Sequence, residues 1–416
     1  MMRISIRPMP SLMQISAALL FCCSLSDQSQ AQDQMRVTVT HQLKQARPSE
    51  TITIPWAQVN HYLPGALIQK IAVKDRHGNV LPHQVTNIAP QAKDPQGIGI
   101  AYGELIFQYH FAAGEQSADF QIERIEGIAP VFETKAFGRH VPERLDDFAW
   151  ENDKIAHRTY GLALAAPAPK DTVKEVLVTS GIDIWFKRVP YPIVDRWYNK
   201  GHDHYHKDEG EGLDMYNVGK SRGCGGTGIW DGQQLYTSIN YERWKILANG
   251  PVRTVFELSY QSWDAAGITI TETKRFTVDA GHYLDKIESR FHYTGNTSLT
   301  AAIGLNKTPS DKGQNPSIKV DKNLGTKSLS QWIEQSTKGA FGTAIILPTA
   351  KDYAEDPLNH LILTNVHSDQ TLTYYAGAIW ERWGDIRTQQ EWNTYLAQVA
   401  ARYQDPIQIK LQGISK

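Results

Sequence analysis

Residues 202–230 concentrate side chains that can transfer protons near neutral pH. Three alternating histidines are followed by four carboxylates: His202, His204, His206, Asp208, Glu209, Glu211 and Asp214. Side chains two residues apart in an extended chain point to the same side, so His204, His206 and Asp208 are expected to share a face. Imidazole groups titrate near neutral pH, which makes this segment a candidate acid–base site. A solvated polar loop, or a calcium-binding loop, is the alternative interpretation.

One reaction that these residue types fit is removal of the C5 proton from a uronic acid. A cation must neutralise the sugar carboxylate, because the developing enolate gains negative charge. A base then takes the proton, and an acid protonates the hydroxyl group that leaves from C4. We predict His204 or His206 as the base and Tyr205 or Tyr216 as the acid. Arg222 is predicted to bind the carboxylate together with Arg144.

A second segment, residues 142–161, combines charged and aromatic side chains. A strand with one aromatic face and one acidic face would suit a sugar-binding cleft, although charged residues on a strand more often form its solvated face. The substrate-binding candidates in this segment are Arg144, Asp147, Trp150 and Glu151. We expect segments 144–151 and 204–222 to fold back and line one shared pocket.

Two strand ends supply further substrate-binding candidates. Lys307 follows an apolar run and could neutralise a carboxylate, although a lysine there is usually solvated. Residues 378–385 end a predicted strand with a polar and aromatic tip, which contains Trp380 and Arg382. Trp150 and Trp380 are predicted to stack on the sugar, and Arg382 to bind the substrate.

The sequence matches no standard zinc motif and no calcium-loop pattern, so we predict no cofactor. A divalent metal held by His204, His206 and Asp208, or by Glu211 and Asp214, is the alternative. There is no Gly-x-Ser-x-Gly nucleophile motif, and nothing in the sequence around the cysteine at position 224 indicates an activated thiol.

The elements that must position these residues are mostly strands. Alternating apolar residues mark strands such as 36–40 and 252–260, and two long runs meet at a turn over residues 279–282. We predict an all-β fold, a large antiparallel β-supersandwich with a small N-terminal β-sandwich region and one C-terminal helix. A capping box at Thr388 and Glu391 predicts where that helix begins.

The predicted organisation is a signal peptide (1–31), an N-terminal β-sandwich region (32–130) and a catalytic β-supersandwich domain (131–416). Arg3 and Arg7 precede an apolar run, and we predict cleavage after Ala31 and a periplasmic or secreted location. The remaining chain keeps only Cys224, so no internal disulfide is expected. Its net charge near −2 provides no basic surplus for nucleic acid, and no membrane insertion is expected.

Two long motifs resemble one bacterial family of polysaccharide-utilisation loci, catalogued as a domain of unknown function. They are Pro-Glu-Arg-x-Asp-Asp-Phe-Ala-Trp-Glu-Asn-Asp at 142–153 and Gly-Glu-Gly-Leu-Asp-x-Tyr-x-Val-Gly at 210–219, and the similarity covers roughly residues 36–411. One branch is associated with oligosaccharide dehydratase activity in ulvan breakdown. The chain departs from the family at Lys307-Thr308, where the resemblance implies Lys-His.

The resemblance implies a galactose mutarotase-like β-supersandwich and an anionic oligosaccharide as the partner. It also implies elimination of water from a non-reducing-end glucuronate or iduronate, which leaves a 4,5-unsaturated uronate. Two alternatives stay open. A glycoside hydrolase would pair Asp147 or Glu151 with Asp208 or Glu211 across a cleft. A non-enzymatic carbohydrate-binding protein or a mutarotase-like protein is the other alternative.

Overall fold

The computed structural model of the chain describes residues 33–86, 103–171 and 173–414. The predicted signal peptide lies outside these residues. In the described part of the chain, no helix combines the length and apolar character needed to cross a membrane.

Two small sheets form the N-terminal region. Their strands are β1 (Gln34–Thr40), β2 (Arg47–Pro55), β3 (Ile71–Asp75), β4 (His83–Thr86), β5 (Glu104–Phe111) and β6 (Ser117–Arg124), joined by the C-terminal strand β26 (Gln408–Ile414). The sheet orders are β26-β1-β6-β3 and β2-β5-β4. Apolar side chains from both sheets and from helix α1 (Trp56–Tyr62) pack into one core. The last strand of the chain therefore returns to the edge of the first sheet.

A five-stranded sheet follows and carries most of the chemically interesting residues. It consists of β7 (Ala136–Val141), β8 (Asp147–Asn152), β9 (Ile155–Thr159), β10 (Asp183–Lys187) and β11 (Gly212–Asp214), in the order β11-β10-β9-β8-β7. The connections contain the short helices α2 (Leu162–Ala165), α3 (Val194–Lys200) and α4 (His202–Tyr205). Strands β8, β9 and β10 are buried along their whole length, so this sheet is enclosed on both faces.

Two larger sheets complete the fold. Their strands are β12 (Cys224–Trp230), β13 (Leu235–Tyr236), β14 (Tyr241–Ala248), β15 (Arg253–Tyr260), β16 (Trp263–Ala265), β17 (Ile268–Asp279), β18 (Leu284–His292), β19 (Leu299–Asn306), β20 (Ser317–Asn323), β21 (Ser328–Glu334), β22 (Ala340–Ile346), β23 (Asp352–Glu355), β24 (Asn359–Val366) and β25 (Thr371–Trp380). One sheet has the order β13-β12-β19-β24-β23. The other has the order β14-β15-β17-β18-β25-β22-β21-β20, with β16 on β17. Neighbouring strands such as β15–β17 and β17–β18 are antiparallel, which confirms the predicted antiparallel β-supersandwich.

The C-terminal helix α5 (Gln389–Gln404) begins where the capping box predicts. The Thr388 side chain accepts from the Glu391 backbone N–H, and the Glu391 carboxylate accepts from the Thr388 N–H. Trp392, Leu396 and Val399 follow at helical spacing and pack into the core beneath the nine-stranded sheet. The reciprocal cap satisfies two amide donors that the first turn of a helix otherwise leaves free.

Candidate active site

The histidine segment is helical and not extended. Gly201 adopts φ +92°, which favours glycine, and the chain turns there from α3 into α4. Residues four apart share one side of a helix, so His202 and His206 meet with their Nε2 atoms 3.3 Å apart. His204 points elsewhere, and its Nδ1 lies 2.9 Å from a carboxylate oxygen of Glu209. The prediction that His204 and His206 share a face is therefore wrong.

His206 has the features of a proton acceptor. Its Nδ1 lies 3.2 Å from the backbone carbonyl oxygen of Asp214. A carbonyl can only accept, so Nδ1 carries the proton and Nε2 keeps its lone pair. Burial lowers the pKa of His206, and the nearby His202 and Arg158 lower it further. The side chain is 36% exposed, so a neutral imidazole with a basic nitrogen lies within reach of solvent.

A buried guanidinium, that of Arg158, binds the same Asp214 carboxylate oxygen that lies 3.9 Å from His206 Nδ1. Arg158 Nε donates to Asp183 at 2.6 Å and Nη2 donates to Asp214 at 2.8 Å. Its Nη1 lies 3.6 Å from Asp147 Oδ2. Sequence reasoning missed Arg158 and Asp183, although charged residues in strands that also carry large apolar side chains are a signal for a buried ion pair. The three carboxylates and Arg158 hold β8, β9, β10 and β11 in one charged network.

Tyr205 links the two segments that the sequence singles out. Its hydroxyl oxygen accepts from Arg144 Nε at 3.4 Å and from Arg158 Nη1 at 3.5 Å. The ring is buried and stacks on Trp185 with centroids 4.7 Å apart. Arg144 also donates to Glu175 at 2.6 Å. Arg144, Tyr205 and His206 are therefore brought together, which is one part of the expected arrangement of segments 144–151 and 204–222.

Asp147 and Glu151 lie on the same strand but in different surroundings. Asp147 is fully buried, and its Oδ2 accepts from the Tyr198 hydroxyl at 3.0 Å. In the described residues, its Oδ1 has no hydrogen-bond partner. Burial raises the pKa of Asp147 to about 6, against the opposing effect of Arg158. Glu151 is fully engaged, because it accepts from Lys187 Nζ and from two amide groups at the start of α3.

Four of the predicted site residues are enclosed in the core: Trp150, Tyr216, Arg222 and Trp380. The indole nitrogens of Trp150 and Trp380 donate to Asp285 and to the Lys338 carbonyl. The burial of both rings contradicts the expectation that they stack on a sugar. Strands buried on both faces give their aromatic residues no solvated side, which the alternating pattern did not reveal.

Arg222 does not join Arg144. Its Nη1 donates to Ser180 at 2.8 Å, and the guanidinium also donates to Thr179 and Thr227. None of these residues contacts Arg144, which binds Tyr205 and Glu175. Burial lowers the pKa of Arg222 to about 10. The predicted pairing of the two arginines around one carboxylate is therefore wrong.

Arg382 approaches the histidine loop, whereas Lys307 belongs to another cluster. Arg382 Nη1 lies 3.7 Å from Asp208, which also accepts from Arg188 at 2.8 Å. Lys307 Nζ pairs with Glu355 at 2.9 Å. Within the described ranges, no group of three His, Cys, Asp or Glu side chains is arranged to hold a metal ion.

The surroundings of Trp150 give a pH-dependent stability prediction. Burial raises the pKa of Asp285 to about 7, although the Trp150 N–H opposes this shift. A raised carboxyl pKa stabilises the folded state at low pH, and this contribution is lost as pH rises from about 4 to about 7. Subtracting the free energy of unfolding of Asp285→Asn from that of the parent gives a difference at each pH. This difference should therefore fall over that range, by on the order of 4 kcal/mol.

Urea unfolding of both proteins at several pH values measures this difference. The neighbouring His157, whose Nδ1 lies 3.3 Å from Asp285, has its pKa lowered by burial to about 3. Its contribution to stability is lost as pH falls from about 6.5 towards 3, and it is present in both proteins. A constant difference between parent and variant from pH 4 to pH 7 would contradict the prediction.

A family model described as a domain of unknown function (DUF4861) matches residues 39–409. An uncharacterised protein, P7 of Formosa agariphila, is 30% identical over 410 residues, which cover 96% of this chain and 98% of that protein.

Two solved structures from Enterococcus faecalis align at low identity. An α-mannosidase from strain V583 gives a TM-score of 0.47 at 9% identity and covers 92% of this chain and 46% of its own. A protein in glycosyl hydrolase family 38 gives a TM-score of 0.45 at 10% identity, with 92% and 48% covered. The chain thus spans about half the length of these two structures.

Proposed function

We propose that this chain, which belongs to the DUF4861 family, is a dehydratase or lyase acting on acidic oligosaccharides. The proposed substrate is the uronic acid at the non-reducing end of an ulvan-type oligosaccharide. The enzyme abstracts the C5 proton and eliminates water, which leaves a 4,5-unsaturated uronate. We further propose that it acts in the periplasm or outside the cell, on the basis of the predicted signal peptide.

One observation carries this proposal. A partly exposed, neutral His206 lies next to Tyr205, and the oxygen of Tyr205 accepts from two guanidinium groups. C5 abstraction needs a neutral base beside cationic groups that stabilise the developing enolate. A solvated polar loop has no reason to place an imidazole against such a buried charged network.

Each residue in the proposed site has a defined role. His206 Nε2 takes the C5 proton after the exposed His202, its present neighbour, is displaced. The C5–H electrons form the C4=C5 double bond, and the C4–O bond breaks. The leaving oxygen takes a proton from the Tyr205 hydroxyl, which lies against the partly exposed Arg144 although the ring itself is buried, and departs as water. Arg144 binds the sugar carboxylate in the place that the exposed carboxylate of Glu175 now occupies.

The carboxylates favour elimination over hydrolysis. A glycoside hydrolase needs two carboxyl groups facing each other across a cleft. Glu211 is bound by Arg196 and Tyr191, and Asp208 is bound by Arg188. Glu151 is bound by Lys187. Of the four carboxylates that the hydrolase interpretation considers, Asp147 alone keeps an unpartnered oxygen in the described residues.

The test is a product assay with oligosaccharides that end in glucuronate or iduronate, with and without sulfate on the neighbouring sugar. We expect new absorbance at about 235 nm, because elimination conjugates the new double bond with the carboxylate. Neutral oligosaccharides of the same length serve as the control and should give no signal. New reducing ends without this absorbance would show hydrolysis, and saturable binding without product would show a binding protein.

A further inference from the structure

A cavity of about 450 Å³ lies where the N-terminal sheets, the nine-stranded sheet and helix α5 meet. This volume is within the range of about 300 to 1,000 Å³ that is typical of small-molecule sites. Charged side chains from five elements line it: Arg47 and Glu50 on β2, Arg253 on β15, Asp279 on β17, Lys286 on β18 and Arg402 on α5.

Two of the three arginines that line the cavity are neutralised by carboxylates. Arg47 Nε and Nη2 donate to the two carboxylate oxygens of Glu50 at 2.9 and 3.2 Å. Arg253 binds Asp279 in the same two-pronged way at 2.5 and 2.7 Å. Paired guanidinium and carboxylate groups of this geometry satisfy each other, so they leave little net charge for a ligand.

Arg402 differs from both. It is 7% exposed, and its Nη1 donates to the Pro48 carbonyl at 3.3 Å. In the part of the chain that the structure describes, its Nε and Nη2 are buried without an acceptor. Burial lowers the pKa of Arg402, against the opposing effects of Tyr395 and Glu50, and the nearby Arg47 lowers it further. A buried cation with two unsatisfied donors is costly, and a bound anion beside it would remove that cost.

The remaining walls of the cavity suit an organic molecule. Tyr375 and Tyr403 both line it, and their rings stack with centroids 3.6 Å apart. Val399 and Ile407 add apolar surface, and the Lys286 ammonium that also lines the cavity is paired with Glu288 at 2.9 Å. Polar side chains that orient a ligand, next to apolar and aromatic surface that it can cover, are features of small-molecule sites.

This cavity is separate from the candidate active site. Strand β8 connects them: Asp147 at its start belongs to the charged network around Arg158. Asn152 at its end donates to the backbone carbonyls of Asp279 and His282, which line the cavity. Five residues of strand span about 16 Å, so one ligand of a few atoms cannot contact both places.

We propose that this cavity is a second binding site, for a small molecule that carries a carboxylate or sulfate group, and that Arg402 is its anchor. The site does not depend on the proposed elimination chemistry.

Titration calorimetry with sodium sulfate, sodium glucuronate and neutral glucose tests the proposal on the full chain. The parent should bind at least one of the two anions saturably and should not bind glucose. Arg402→Met should weaken that binding by about tenfold or more, because it removes the planar donors. Arg243→Met is the matched control, since that side chain is 80% exposed, and it should bind like the parent.

The outcomes separate the sources of the anion. Tighter binding of glucuronate than of sulfate identifies an acidic sugar as the ligand, and the reverse identifies free sulfate. Should Arg402→Met fail to fold, Arg402→Lys keeps the charge but loses the planar donors, and it should also bind more weakly. Absence of saturable binding to the parent, or equal affinity in the parent and in the folded Arg402 variant, overturns the proposal.

Discussion

Replacing His206 with alanine should lower the rate of unsaturated-product formation by about 10²- to 10⁴-fold, the usual contribution of a general base. The expectation rests on the fixed tautomer, in which Nδ1 donates to the Asp214 carbonyl and leaves Nε2 to take a proton. Because burial lowers the pKa of His206, the base should stay deprotonated below pH 6.5. The acid limb of kcat/KM in the parent should therefore lie below that pH.

A histidine outside the site gives the matched control. His292 is exposed on β18 and pairs with Asp369, so His292→Ala should keep the activity of the parent. Circular dichroism and the urea midpoint of both variants establish that the fold is intact. If His206→Ala forms product at the rate of the parent, the base lies elsewhere and the proposed mechanism fails.

The sequence pattern predicted the strands well because their periodicity is local. Residues 252–260 alternate in the sequence, and every second residue of this run is buried: Val252, Thr254, Phe256, Leu258 and Tyr260. That pattern depends only on the alternation of side chains along a single strand. The start of helix α5 was predictable for the same reason, since a capping box involves residues three apart.

The site was less predictable because its geometry depends on contacts between distant segments. Histidines at every second position suggested a strand, yet a single glycine with positive φ, Gly201, starts a helical turn that pairs His202 with His206. Arg158 and Asp183 face each other only because β9 and β10 pair in that register. A strand register between segments 25 residues apart cannot be read from either segment alone.

The second large effect is expected at Arg158. Substitution with methionine should lower the free energy of unfolding by about 3 to 5 kcal/mol, the usual cost of removing one partner from a buried charge pair. Asp183 and Asp214 would each lose a hydrogen bond shorter than 3 Å, and both are buried. Methionine keeps much of the volume, so the loss reports the charge and not a cavity. Urea unfolding monitored by tryptophan fluorescence measures it.

The cause of that loss can be separated from a general effect of removing an arginine. Arg243→Met, on the exposed β14, should change the free energy of unfolding by no more than about 0.5 kcal/mol. Burial already raises the pKa of Asp214 well above its ordinary value. Lowering the pH should therefore readily protonate the carboxylates that lose their guanidinium partner in Arg158→Met. The deficit of this variant should therefore shrink as pH falls, because neutral carboxyl groups need no cationic partner. A deficit that stays constant from neutral to acidic pH would mean that Arg158 stabilises the sheet through packing and not through charge.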